Sequence, residues 1–191
     1  MKTLLLFFLL LPFFSFLPEA PCGGVYRWDY KILIDPLGAN TVYKKTAVSR
    51  SVHSLVSLAR PANAQLGNHR SLPEQQKIKT TAFIVGLGQE DDGDYHLILT
   101  SLDSQDSLIA EIPDPTCKKI KGFPGLKQDY TEARKFIDEN IEDAPGAIHY
   151  LEEGVKVRIT GVVFFDKAAH GNGHAPNGVE IHPVLKIVPV Q

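Results

Sequence analysis

The chain has 191 residues, 43% hydrophobic and 22% charged, with a formal net charge of −2 and a pI near 6.4. That is a globular composition, sized for one domain with extensions, and it excludes a disordered chain. The near-neutral balance supplies no broad basic field for nucleic acid and no acidic field for a cationic partner.

Met1-Lys2-Thr3 leads into an apolar run from Leu4 to Leu17, the layout of a secretory signal peptide. The run is shorter than the roughly 20 apolar residues that cross a bilayer, and Pro12 and Pro18 interrupt a continuous helix. The sequence therefore predicts a signal peptide over residues 1–20 and an exported mature chain, periplasmic or extracellular, with no transmembrane span. An uncleaved N-terminal anchor is the alternative. Pro18-Glu19-Ala20-Pro21 is a poor small-x-small cleavage site, because proline follows the small residue. Cys22 stands where a lipid-modified cysteine would, but the preceding residues match that pattern badly and disfavour a lipoprotein. The only two cysteines, Cys22 and Cys117, form a candidate disulfide in an oxidising compartment. No CxxC or Cys/His zinc pattern occurs.

Residues 21–75 read as an N-terminal extension. Val25 to Ala39 is expected to be irregular or briefly extended, ending in the turn signal Asp35-Pro36-Leu37-Gly38. Val52, Leu55, Val56 and Leu58 suggest a short helix. Residues 76–191 form the predicted β domain. Its first strand runs from Lys77 to Leu87, followed by the acidic turn Gln89 to Gly93. The second, Asp94 to Thr100, sets Tyr95, Leu97 and Leu99 against His96, Ile98 and Thr100. The third, Ser107 to Ile112, stops before Pro113. A helix is expected from near Asp129, which has capping-box spacing to Glu132 and is followed by Tyr130, Ala133, Ile137 and Ile141 on one face. Val155 to Phe165 is the fourth strand, with Gly161 signalling a bulge or bend. Val179 to Val190 is the fifth, with Pro183 at an edge or irregular position. Three strands, a helix and two strands predict a mainly β fold, a five-stranded OB-like (oligonucleotide/oligosaccharide-binding) barrel with one α-helix between strands three and four. Another small antiparallel sheet with one packed helix is the alternative.

The densest chemistry lies between Asp166 and His182, with His170, His174 and Glu180 between them. Glu180 and His182 lie two apart, so a strand sends both to one face. Imidazoles with carboxylates suit zinc or another first-row ion, and the same groups serve as acid and base near neutral pH. Histidines in Gly-Asn-rich loops also serve only to bond the main chain, and that reading stands beside the first. Glu90, Asp91, Asp92 and Asp94 make an oxygen-rich turn without EF-hand spacing, which reads as a solvated hairpin tip or a calcium loop. His96, two residues from Asp94, shares its expected face. Nucleic-acid binding has weak support: Tyr95 is the sole aromatic on the second strand, and Lys118, Lys119 and Lys121 gather in a loop. Phe164 and Phe165 read as core and rim. No GxSxG element occurs.

Several stretches are distinctive: Arg27 to Lys31 with Asp35, Asp92 to Leu99, Ala110 to Pro115 with Cys117, Thr160 to Asp166, His170-Gly171, and Ala175 to Leu185. In these the chain resembles a functionally uncharacterised family of small exported bacterial proteins. The resemblance implies bacterial origin, export and a compact β domain, and supplies no activity, substrate or ligand. The chain departs from that pattern at His174, where an aliphatic residue is usual, which ranks His174 behind His170, Glu180 and His182.

Two functions follow as expectations. The first is a non-enzymatic ligand-binding or envelope-associated module whose surface is formed by Tyr95, His96, Glu111, Asp166, His170, Glu180 and His182, with no cofactor. The second is a metal-dependent hydrolase acting on a class such as phosphodiesters, with Asp166, His170 and His182 as ligands and Glu180 as base. A purely structural role for the histidines is a third.

Overall fold

Alternating and β-branched residues from Lys77 onward form the strands expected of them, in a computed structural model that describes residues 26–62, 64, 69–141, 146–167 and 172–190. The strands are β1 (Val48–Ser49), β2 (Lys77–Gln89), β3 (Tyr95–Thr100), β4 (Ser107–Ile112), β5 (His149–Phe165) and β6 (Val179–Pro189). The helices are α1 (Trp28–Lys31), α2 (Val52–Val56) and α3 (Pro124–Asn140). One mixed sheet holds all six strands in the order β1-β2-β3-β4-β6-β5, and β2 pairs in addition with β5. The β1–β2 and β4–β6 pairs are parallel, and the rest are antiparallel. Among the described residues no helix is long and apolar enough to cross a membrane.

Gly161 does what a mid-strand glycine predicts. The β5–β6 register shifts on both sides of it. A Cβ there would lie 2.3 Å from Ile181 Cγ2 and 2.6 Å from the Pro183 carbonyl oxygen, so the strands approach where only glycine fits. The following His182-Pro183 peptide is cis.

Three expectations are corrected. The segment expected to be irregular or extended contains the helical turn α1 and a second helical turn over Gly38–Val42. Helix α3 starts at Pro124 rather than near Asp129, because proline suits the first helical turn, where its missing N–H costs nothing. Asp129 therefore caps nothing; it lies inside α3 beside Tyr43. Strand β5 begins at His149 rather than Val155.

The expected in-out alternation of β3 does not become a buried and a solvated face. Leu97 and Leu99 join the main core, yet His96 and Ile98 are also buried. The outer face is covered from the N-terminal segment, which brings Lys31 to it, and from the loop before β6, where Gly173 closes on Ile98. Trp28, Ile32, Leu33, Val42, Val52 and Leu55 share one apolar cluster with the sheet, so the extension is packed onto the β domain.

That packing is pinned by Glu74, a fully buried carboxylate that the sequence reading passed over. It accepts from Arg27 Nη1 at 2.6 Å and Nη2 at 3.1 Å, from Ser71 N and Oγ at 2.8 and 2.9 Å, and from Phe165 N at 3.2 Å. Arg27 in turn lies over the rings of Tyr30 and Phe164. One side chain thus ties the extension to the end of β5. Burial opposes the Glu74 charge, but Arg27 and the backbone donors hold its pKa below the ordinary value.

Removing one partner of a buried ion pair leaves the other charge unpaired, at a cost of about 3–5 kcal/mol. Glu74→Gln is expected to lower unfolding stability at neutral pH by an amount of that order, measured by denaturant titration. Because the folded-state pKa is depressed, the pair's contribution is complete above the unfolded carboxylate range and vanishes as pH falls through the folded value. The loss in Glu74→Gln should therefore shrink on acidification; a loss independent of pH would contradict this account.

Candidate metal-binding site

Strands β3, β4 and β6 lie side by side, and their outer face carries the candidate site. Period-two geometry puts His96 on the same side as Asp94, the residue just before β3, and puts Glu180 and His182 on one face of β6. Between them His96 pairs directly with Glu111 across the antiparallel β3–β4 ladder. The parallel register Ala110↔Ile181 brings Glu111 and His182, one residue further along each strand, next to each other.

Glu111 is the centre. Its Oε2 lies 2.7 Å from His182 Nδ1 and its Oε1 lies 3.5 Å from His96 Nδ1. His96 Nδ1 also meets Glu90 Oε1 at 3.0 Å. The other ring nitrogen of His182, Nε2, is 3.4 Å from Asp94 Oδ2, and Glu180 Oε2 is 3.9 Å from His182 Nδ1. Asp94 is fixed through its other oxygen, which accepts from Asp114 N at 2.9 Å. Lys31, from the extension, sets its ammonium 3.8 Å from Glu111 Oε2 and 3.5 Å from Asp166 Oδ2. The Phe164 ring packs edge-on against His182. Glu90, Lys31 and Asp166 are half-buried at the rim and the rest are withdrawn from water: His182 and Asp94 are 0% exposed, His96 4%, and Glu111 and Glu180 6%.

The contacts are close and stand as ion pairs, but off the angles of well-formed hydrogen bonds. Both ring nitrogens of His96 and of His182, with Asp94 Oδ2 and Glu180 Oε2, lack a hydrogen-bond partner. Buried polar atoms in that state are rare and costly. Donors about 2.0–2.2 Å from a metal lie roughly 2.8–3.6 Å apart at octahedral or tetrahedral angles, and three of the contacts here, at 3.0, 3.4 and 3.5 Å, fall in that interval while those at 2.7 and 3.9 Å lie outside it. Among the described residues two groups have one donor atom from each member within 4.8 Å of the others, Glu90-His96-Glu111 and Asp94-Glu111-His182.

Electrostatics record the strain of this packing. Burial raises Glu180 to about 7, with Glu111 and Asp166 adding repulsion against His182. Burial likewise raises Asp94 to about 6 despite His182. His96 moves up to about 9, its desolvation outweighed by Glu111 and Glu90. Burial opposes the charges of His182 and Glu111 alike, yet the two hold each other's pKa far from its ordinary value, His182 above and Glu111 below. Neutral imidazole with ionised carboxylate is the ligand state, so an ion entering here displaces protons.

The residues singled out from the sequence are distributed unevenly. His96, Glu111, Glu180 and His182 come together. Asp166 stands at the edge, where it pairs with Lys31 and belongs to neither ligand group. Tyr95 faces the opposite side of β3, where its hydroxyl donates to Asp138 and Arg134 lies 4.1 Å over its ring. His170 lies outside the described residues. His174 is half-buried and in neither group. Lys119 pairs with Asp29 on the surface. Cys117 is disulfide-bonded, while Cys22 lies outside the described residues. Nothing in the local sequence of Lys31, beyond its place in the Arg27–Lys31 stretch, announces a chemical role. Glu90 and Asp94, read as a solvated hairpin tip or calcium loop, are instead divided between the two groups. Comparison of the chain with models of known protein families and with curated proteins gives no match.

Glu180 supplies a test of the metal-free cluster. Its folded pKa of about 7 exceeds that of an unfolded glutamate, so its ionisation destabilises the fold increasingly above the unfolded value and fully above about pH 7. With chelator present, Glu180→Gln is expected to be more stable than the parent at pH 8, by roughly 1–3 kcal/mol. The gain should fade toward pH 4–5. A substitution that destabilises equally at both pH values would contradict the strained-carboxylate reading.

Proposed function

We propose that the protein is an exported OB-like barrel that binds divalent metal through Glu90, Asp94, His96, Glu111 and His182. The single observation that carries this is Glu111, lodged between two buried imidazoles whose nitrogens find no hydrogen-bond partner.

The barrel reading is supported by the pairings β2–β3, β3–β4, β4–β6, β6–β5 and β5–β2, which link five strands in a ring. The β4–β6 seam is short, with paired residues only at Ile109↔Glu180 and Ala110↔Ile181. In OB barrels the ligand face spans the second and third strands and is flanked by the loops after strands one and four. Counting barrel strands from β2, those strands are β3 and β4. The turn after β2 contributes Glu90 and Asp94 to the histidine and carboxylate cluster, and the residue after β5, Asp166, stands at its edge. Export rests on the leader-like residues 1–20. An oxidising compartment suits a disulfide-bonded Cys117, and export is also what the bacterial family resemblance implies.

Mixed imidazole and carboxylate donors favour zinc, manganese or ferrous iron over a hard, all-oxygen calcium site. A hydrolytic role is the second reading, and one feature favours it: Glu180 belongs to neither ligand group yet sits beside His182 with a pKa near neutrality, the condition for a general base.

Protein purified without an affinity tag is expected to retain or take up zinc or manganese, measured by elemental analysis. A ligand in 100-fold excess over its dissociation constant adds about 2.7 kcal/mol of stability, so the melting temperature should rise on loading. Glu111→Gln should abolish the rise, and a loss of affinity greater than the roughly 10–100-fold typical of outer-shell partners is expected. Absence of binding by the folded parent would overturn the proposal. Metal-dependent phosphodiester turnover lost in Glu180→Gln with metal content intact would establish the hydrolytic reading.

A further inference from the structure

We infer that the site takes two divalent ions rather than one, with the Glu111 carboxylate bridging them. The inference rests on the metal-binding reading and specifies its stoichiometry. The two candidate ligand groups, Glu90-His96-Glu111 and Asp94-Glu111-His182, overlap at Glu111 alone. Its two oxygens are turned apart: Oε1 faces His96 and Oε2 faces His182. Each group therefore has an imidazole of its own, a terminal carboxylate of its own and one oxygen of the shared carboxylate. A carboxylate flanked in this way spans ions separated by about 3.5–4 Å in two-metal centres generally.

Charge points the same way. With neutral imidazoles, Glu90, Asp94, Glu111, Asp166 and Glu180 contribute five negative charges, and Lys31 supplies one positive charge. With all five ionised, one divalent ion would leave a balance of two negative charges, met by solvent only at the half-buried Glu90 and Asp166 and by retained protons at the buried members. Two ions bring the cluster to neutrality. Lys31 accounts for the odd charge: its ammonium lies 3.8 Å from Glu111 Oε2 and 3.5 Å from Asp166 Oδ2. The two positions differ in character. The Glu90-His96 position reaches the rim through Glu90, whose side chain is 41% exposed, whereas the Asp94-His182 position is enclosed. The enclosed ion should be the slower to leave, and the rim ion the one that exchanges first with chelator.

The test is metal stoichiometry with spectroscopy on the untagged mature chain. Titration with manganese is expected to reach two ions per chain, with electron paramagnetic resonance showing exchange coupling between them rather than the spectrum of isolated ions. His96→Ala should reduce the stoichiometry to one and remove the coupling while leaving the slowly exchanging ion in place. His182→Ala should instead leave the fast one. His96 sits at the rim side of the cluster, so its variant keeps the test available should Glu111→Gln or His182→Ala fail to fold by circular dichroism. One ion in the parent, or two ions without coupling, would overturn the bridged pair while leaving metal binding intact. No ion in the folded parent would overturn metal binding itself.

Discussion

Carboxylates taken out of water on one sheet face need positive charge within a few ångströms, and that requirement organises this molecule. Glu111 sits near the end of β4 with an imidazole on either side, and the surrounding chain serves to keep that arrangement closed. The N-terminal extension brings Lys31 over the cluster and Phe164 packs against His182. Glu74 and Arg27 lock the extension to β5 through a buried ion pair. The cluster is poorly satisfied by hydrogen bonding, and one donor atom from each member of its two ligand groups lies within 4.8 Å of the others.

Such a cluster is expensive to maintain without a bound cation. Glu180 and Asp94 are raised to about 7 and about 6 by burial, so near neutral pH the metal-free cluster holds protons on groups that would otherwise be ionised. Burial of this kind is seldom retained for stability alone, since well-packed apolar residues often do as well or better. The cost is offset by the rest of the fold, including the apolar cluster shared between extension and sheet. This division, a strained polar face on a well-packed scaffold, is a familiar trade between stability and activity.

Much of the sheet was legible in the chain. Period-two alternation located the strands from Lys77 onward, Gly161 marked a close strand approach, and the spacing of Glu180 and His182 put both on one face. Less of the site was legible, for a physical reason. Glu111 and His182 become neighbours only through the parallel β4–β6 pairing, which joins segments far apart in the chain. Lys31 reaches the cluster by tertiary packing of the extension, and Glu74 pairs with Arg27 across similar distance. Asp129 illustrates the opposite error: its spacing to Glu132 imitates a cap, but Pro124 already starts the helix. Tyr95 was grouped with His96 by sequence proximity, although adjacent strand residues face opposite ways, and its hydroxyl went to Asp138.

The central claim is that these imidazoles and carboxylates aim at an ion. Anomalous X-ray diffraction from crystals of zinc-loaded, untagged protein, recorded on both sides of the zinc absorption edge, addresses it most directly. The account predicts anomalous density in contact with Glu111, bounded by the side chains of His96 and His182. Density confined to the surface, with the four ring nitrogens instead hydrogen-bonded to ordered water or carboxylates, would contradict it.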